Sequence, residues 1–300
     1  MNFSNLYRSK VMRKKMLTAT IILIALASAG NAQADALSIY DIQYTTEDDG
    51  ISPQNGNIVD CIGGIVIHIR PSSRPRLVIQ DPNYPDGWGA IQIKGWKSDA
   101  FKNITIGDWI SLTNVMVEEN KGTTFLQYQS EHDPNLTILS RNNHLPKPLV
   151  VTIDKIAAPS ESIDAWVIPE QRAEKYESML IKVINVHISD TGYGKAFDNY
   201  VLTSNIDPSL NCWISDYMNT DKEKGLIYHP YVEIGRNFCG VAGILEQYTG
   251  DSEGIFYDYY QLLTTNTKAF TIEQIADLDG DCDVDFSDFS IFVEHWLEGR

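Results

Sequence analysis

Asp277, Asp279, Asp281, Asp283, Asp285 and Asp288 occupy positions 1, 3, 5, 7, 9 and 12 of a twelve-residue stretch. Alternating carboxylates of this kind suit a hard cation. Calcium takes about six to eight oxygens at about 2.3–2.6 Å, and a twelve-residue loop supplies them at these positions, with a backbone carbonyl at the seventh. Without a cation such neighbours repel one another. Val284, at the eighth position, is placed to pack the loop inward, whereas Cys282 stands where a calcium loop usually turns on glycine. From Ser287 to Glu298 the apolar residues Phe289, Phe292, Val293, Trp296 and Leu297 recur at i, i+3, i+4, i+7 and i+8. That is the stripe of an amphipathic helix. The sequence thus predicts a Ca2+ loop running into an exiting helix. So short a tail cannot bury this stripe alone. Its face is expected to dock on the preceding domain, on a second copy of the chain, or on a protein partner.

Elsewhere catalytic patterns are missing. The histidines His68, His132, His144, His187, His229 and His295 are scattered singly, and none forms H-E-x-x-H. No G-x-S-x-G elbow, phosphate-binding P-loop or dinucleotide-binding glycine motif occurs. No catalytic residue is assigned.

The elements that must position these groups read as follows. A basic cluster ending at Lys15 precedes the apolar run Met16–Ala29, and Ala32-Gln33-Ala34 fits a signal-peptidase site. Residues 1–34 therefore read as a signal peptide, with an uncleaved anchor as the alternative. Export follows, to a periplasmic, cell-surface or extracellular site, with no transmembrane segment in the mature chain. Export permits disulfides. Cys212 and Cys239 are either a bridge or two buried thiols on strands.

Between residues 37 and 270, short β-branched and aromatic runs are broken by Gly, Pro, Asn and Asp. Alternation from Val59 to Ile69 predicts a first strand, with Asp60, His68 and Arg70 on its outer face. Arg76–Gln80, Ala90–Lys94, Trp109–Glu118 and Thr123–Gln129 complete five strands, the count and spacing of an OB barrel. Arg141–Pro148 reads as a linker. The pattern then recurs in Tyr176–Ser189, Asn199–Thr203, Cys212–Ser215, Asn237–Tyr248 and Ile255–Leu263. The fold expected is mostly β: OB-like five-stranded barrels over 37–145 and 150–270, then a calcium-loop–helix tail over 271–300.

Ser38–Gln43, Gly63–Val66, Val78–Asp81 and Ile106–Asp108 resemble the OB modules of secreted bacterial endonuclease/exonuclease/phosphatase-associated and surface proteins. Tyr176–Val183 with Gly192–Gly194 resembles the second module of such tandems, where glycine is usual at the position of Ser178. The acidic loop and its helix resemble a single dockerin repeat, whose loop ends in aspartate at position 12; dockerins carry two such repeats. These resemblances imply accessory modules and a calcium-binding docking tail.

Lys and Arg number 24 and Asp and Glu 40, a net charge of −16, which becomes −21 without the five bases of residues 1–34. Phosphate backbones are held by Lys and Arg, so nucleic acid is an unlikely partner on this count. Tyr84, Trp88 and Trp96 surround the second and third strands, where OB barrels receive ligand, and Tyr257, Tyr259 and Tyr260 cluster on the last strand. Such rings suit sugars or bases. The charge turns that choice towards a glycan, while the competing reading leaves half of the rings in the core. The expected function is an exported, non-catalytic binding or assembly protein. The alternative is an accessory subunit or enzyme of a secreted nuclease or polysaccharide-degrading system.

Overall fold

A computed structural model describes residues 36–300 apart from 48–49, 71–74, 96–98, 129–133, 157–172, 194–198, 221–232, 253–254, 273–275, 279–283 and 299–300. The expected signal peptide, Trp96, and Asp279, Asp281, Cys282 and Asp283 lie outside the described residues. No helix among the described residues is long and apolar enough to cross a membrane.

The chain opens on a short helix, α1 (Ile39–Gln43), begun by a capping box in which Ser38 and Asp41 satisfy each other's backbone N–H groups. Ile39 and Ile42 anchor it in the first core. Five strands follow: β1 (Ile58–Arg70), β2 (Arg76–Gln80), β3 (Ala90–Gly95), β4 (Trp109–Asn120) and β5 (Thr123–Tyr128). Their order is β1-β2-β3-β5-β4, and β4 returns to β1 to close the barrel. Only β3 and β5 run parallel. A sixth strand, β6 (Asn135–Ser140), pairs with β4 outside the closed ring.

The strict alternation expected along β1 is corrected. Bulges near Cys61–Gly64 and at Val66–His68 shift its register, so Val59, Cys61 and Val66 enter the barrel core while Ile67 faces the second barrel. Each bulge inserts one residue and thereby exchanges the faces of the strand beyond it. Gly63 makes the first turn possible at φ 81°, where a Cβ would lie 1.6 Å from the Ile110 carbonyl oxygen. His68, expected on an outer face, is consequently buried.

The second barrel repeats the design. β7 (Leu149–Val151) leads in parallel to β8 (Leu180–Tyr193). Next come β9 (Asn199–Ser204), β10 (Asn211–Ser215), β11 (Asn237–Ser252) and β12 (Ile255–Leu263). The order β8-β9-β10-β12-β11 closes through β11–β8, with β10 and β12 the parallel pair. A two-residue strand, β13 (Phe270–Thr271), edges β11. The first strand starts at Leu180 rather than at Tyr176, because Glu174–Tyr176 coils into a 3-10 turn and Ser178 takes φ 62°. Glycine adopts that conformation most readily, so Ser178 holds a backbone geometry that disfavours its side chain.

Ile67 and Val78 of the first barrel pack with Met218, Ile244 and Leu263 of the second. Around this apolar seam the backbone itself is shared. The Trp88 N–H donates to the Lys175 carbonyl at 2.6 Å, and the Thr249 N–H to that of Lys121 at 2.8 Å. The tail ends in α2 (Phe286–Glu298).

Candidate functional site

Where the barrels meet, a cleft of about 480 Å3 opens between the β4–β5 hairpin of one and β9–β12 of the other. It is floored by corresponding strands. Arg76 of β2 sits opposite Lys94 of β3, and Asn199 of β9 opposite Ser215 of β10, at the same ends of the same strands in each barrel. In OB barrels the face of strands two and three, bounded by the hairpin of strands four and five, receives oligonucleotides and oligosaccharides. Here two such faces look into one space.

Cations in this cleft and beside it lie against rings, Arg76 and Lys121 lining the cleft and Lys94 an adjoining recess. The Arg76 guanidinium is 5.1 Å from the Phe125 ring centre and 4.8 Å from that of Tyr217, which Arg70 also covers at 4.2 Å. The Lys94 ammonium is 3.3 Å from the Phe125 ring centre. Lys121 covers Tyr248 at 4.6 Å and, from the same ammonium, meets the Tyr248 hydroxyl at 2.8 Å. Tyr248, Tyr259 and Trp213 continue as a chain of tilted rings with centres 5.8 and 5.9 Å apart. Phe125 is buried beneath its cations, whereas Tyr217, Tyr248 and Tyr259 are half-buried and reachable.

The charges are not equivalent. Arg76 donates to Glu246 at 2.9 Å across the barrel junction, and Glu246 also accepts from Gln261 at 2.8 Å. Lys94 has neither a hydrogen-bond nor an ion-pair partner among the described residues. Burial, and then Arg76, lowers its pKa to about 8 against the pull of Glu118, Glu246 and Glu119.

A buried carboxylate group closes the far side of the junction. Oε1 of Glu177 accepts from the Thr124 N–H at 3.1 Å and from the Gln43 amide at 3.3 Å, while its Oε2 has no partner. Burial, then Glu174 and Glu119, holds this carboxyl well above the ordinary glutamate range.

The sequence-predicted residues are only partly brought together. Tyr84 stacks on Tyr40 at 4.9 Å, Tyr40 on Tyr44 at 5.0 Å, and Trp88 meets Tyr44 edge-on at 5.5 Å. This patch lies at the Gln80–Ala90 end of β2 and β3, opposite to Arg76 and Lys94. The cleft itself was missed, because its rings and cations come from five strands of two barrels. The matching ends of β2–β3 and β9–β10 were the available signal.

In the tail, Asp285 and Asp288 have visible work as helix caps. Asp285 Oδ1 accepts from the Ser287 N–H at 2.7 Å, and Asp288 accepts from Asp285 N–H at 2.7 Å and from Leu278 N–H at 2.5 Å. Asp277 lies beside Cys239, 3.2 Å from its sulfur. Among the described residues no three His, Cys, Asp or Glu side chains converge as a metal cage would require. Among the described residues Phe289, Phe292, Trp296 and Leu297 are all exposed by half or more.

The Cys212–Cys239 bridge is corrected: Cys212 is a free, buried thiol, as is Cys61, whereas Cys239 is disulfide-bonded. Cys212 points into the second barrel's core, where it has no partner in reach.

No protein-family model matches the chain, and no curated protein matches it. Among solved structures it is similar to the OB domain of MM0293 from Methanosarcina mazei, with 19% identity over 30% of this chain and 78% of that one, and a TM-score of 0.24. It is also similar to fission yeast Pot1 with ssDNA, with 12% identity over 85% and 93% of the two chains and a TM-score of 0.34. A murine DNA-binding protein bound with double-stranded DNA shares 9% identity over 69% and 99%, with a TM-score of 0.31. Two of these neighbours are described with DNA, so the expectation that nucleic acid is an unlikely partner, and with it the reading of a glycan- or calcium-dependent docking protein, is withdrawn; the likeness itself is one of fold. The physical error lay in the net charge. It sums the whole surface, whereas a ligand meets the local field of one cleft.

Proposed function

We propose that the chain is a non-catalytic binder of single-stranded nucleic acid, held in the inter-barrel cleft. The observation that carries this reading is the convergence of both strand-two/strand-three faces on a cleft where Arg76 and Lys121 lie against aromatic rings, with Lys94 over Phe125 in the recess that adjoins it at Arg76, Asn120 and Tyr217. Single strands are bound by such a combination, with cations tracking the backbone and rings stacking on bases. Tyr248 and Tyr259 are the proposed stacking platforms, and Lys94 and Lys121 the phosphate partners.

Fluorescence anisotropy with a labelled fifteen-nucleotide oligothymidylate tests this. Saturable binding is expected at low salt, weakened roughly tenfold by Tyr259→Ala, in keeping with about 1–3 kcal/mol per stacked base. No binding by the wild-type protein, or binding untouched by substitution of Tyr248, Tyr259 and Lys121, refutes the assignment. Duplex DNA of equal length serves as the competitor that a single-strand cleft should reject.

A further inference from the structure

Lys94, in the recess beside the cleft, is a cation that its surroundings among the described residues leave unspent. Arg76, directly opposite on β2, gives its guanidinium to Glu246 and Gln92. Lys121 meets the Tyr248 hydroxyl. The Lys94 ammonium instead lies half-buried over the Phe125 face, in a recess that it shares with Arg76, Asn120 and Tyr217, with no partner among the described residues. A cation desolvated this far and left unpaired is stabilised by an incoming anion and penalised without one.

We propose that Lys94 makes ligand binding proton-linked: the oligonucleotide phosphate is held only by the charged amine, so binding takes up a proton and fails on the alkaline side of neutrality. This rests on the nucleic-acid reading above and adds its regulation. The groups that face Lys94 are Arg76 from β2, Glu118 and Glu119 from β4, and Glu246 from β11. Arginine keeps its charge throughout the alkaline range and the carboxylates are already ionised there. Lys94 is therefore the group that changes. With the free amine titrating near pH 8 and the phosphate-bound amine well above it, affinity falls with pH once the free amine loses its proton. The limiting loss between pH 7 and 9.5 is about 30-fold; solvent screening of a partly exposed amine reduces it, leaving at least about tenfold.

The test measures oligothymidylate affinity of the full chain from pH 6.5 to 9.5 at constant ionic strength, with calorimetry in two buffers of different ionisation heat to count protons. The wild type should lose at least about tenfold and take up about half to three-quarters of a proton at pH 8.5. Lys94→Arg, whatever its affinity at pH 7, should lose the alkaline fall and take up no proton. Lys94→Gln should bind weakly at every pH. A flat wild-type profile, or an equal fall in Lys94→Arg, overturns the role of Lys94 while leaving the nucleic-acid reading intact. No binding at pH 6.5 sinks both.

Discussion

Two buried titratable side chains act on stability in opposite directions, and both sit at the barrel junction. Glu177 holds its proton in the folded protein at pH values where the unfolded chain has lost it, because burial and the neighbouring Glu174 and Glu119 disfavour its charge. Its stabilising contribution is complete below the ordinary glutamate value and is lost as pH rises through the folded one. Glu177→Gln keeps the carbonyl that accepts from Thr124 and Gln43 and removes the charge. It should raise the stability at pH 8 by about 1–3 kcal/mol, and the gain should vanish near pH 4 in urea denaturation. His68 runs the other way. Burial, opposed by its hydrogen bond to the Met218 backbone, lowers its pKa from 6.5 to about 4. The stability it contributes is fully present above pH 6.5 and is lost as pH falls towards 4, by up to about 3 kcal/mol. Removing the imidazole with His68→Leu in the Glu177→Gln background should flatten this acid limb. An unchanged slope between pH 6.5 and 4 would place the titration elsewhere. Neither residue was legible from sequence: the strand pattern placed His68 on an outer face, and a bulge together with a second barrel buried it.

At the scale of elements, the strands were the readable part. Arg76–Gln80 and Ile255–Leu263 have the ends expected of them, because apolar β-branched runs stop at turn residues. What failed was anything set by partners distant in sequence. Both faces of β1 are buried beyond Gly63, so alternation could not reveal its register. The 3-10 turn before Leu180 read as continuing strand because Tyr176 and Met179 are apolar. The tail carries a second lesson. Its acids sit in a spacing that a calcium loop and a helix N-terminus share, and Asp285 with Asp288 caps the helix start. Asp288→Ala should therefore destabilise α2 by about 1–2 kcal/mol and hasten limited proteolysis between the second barrel and the C-terminus. The measurement belongs in chelator and in millimolar calcium. Equal loss in both identifies capping as the whole role, and a loss confined to calcium assigns Asp288 to a metal site instead.

For the whole molecule, a net charge of −16 coexists with a cleft that carries Arg76 and Lys121 beside Glu246, and salt should separate the two. A single strand that neutralises its phosphates on Lys94 and Lys121 releases about 0.7 counterion for each, so log K against log salt should have a slope of about −1.4. A slope near zero would leave stacking alone to hold the ligand. The two barrels share an apolar seam, backbone hydrogen bonds and the Arg76–Glu246 pair, yet each keeps a core of its own. Each core also encloses one free cysteine, Cys61 in the first and Cys212 in the second, whose thiols burial pushes up to about 12. Such sulfurs meet an alkylating reagent only when their barrel opens. The protein thus contains two independent clocks, one per barrel, read separately by mass spectrometry after a pulse of iodoacetamide. Equal labelling rates mean that the barrels open as one cooperative body; a faster Cys212 means that the second barrel breathes while the first stays shut.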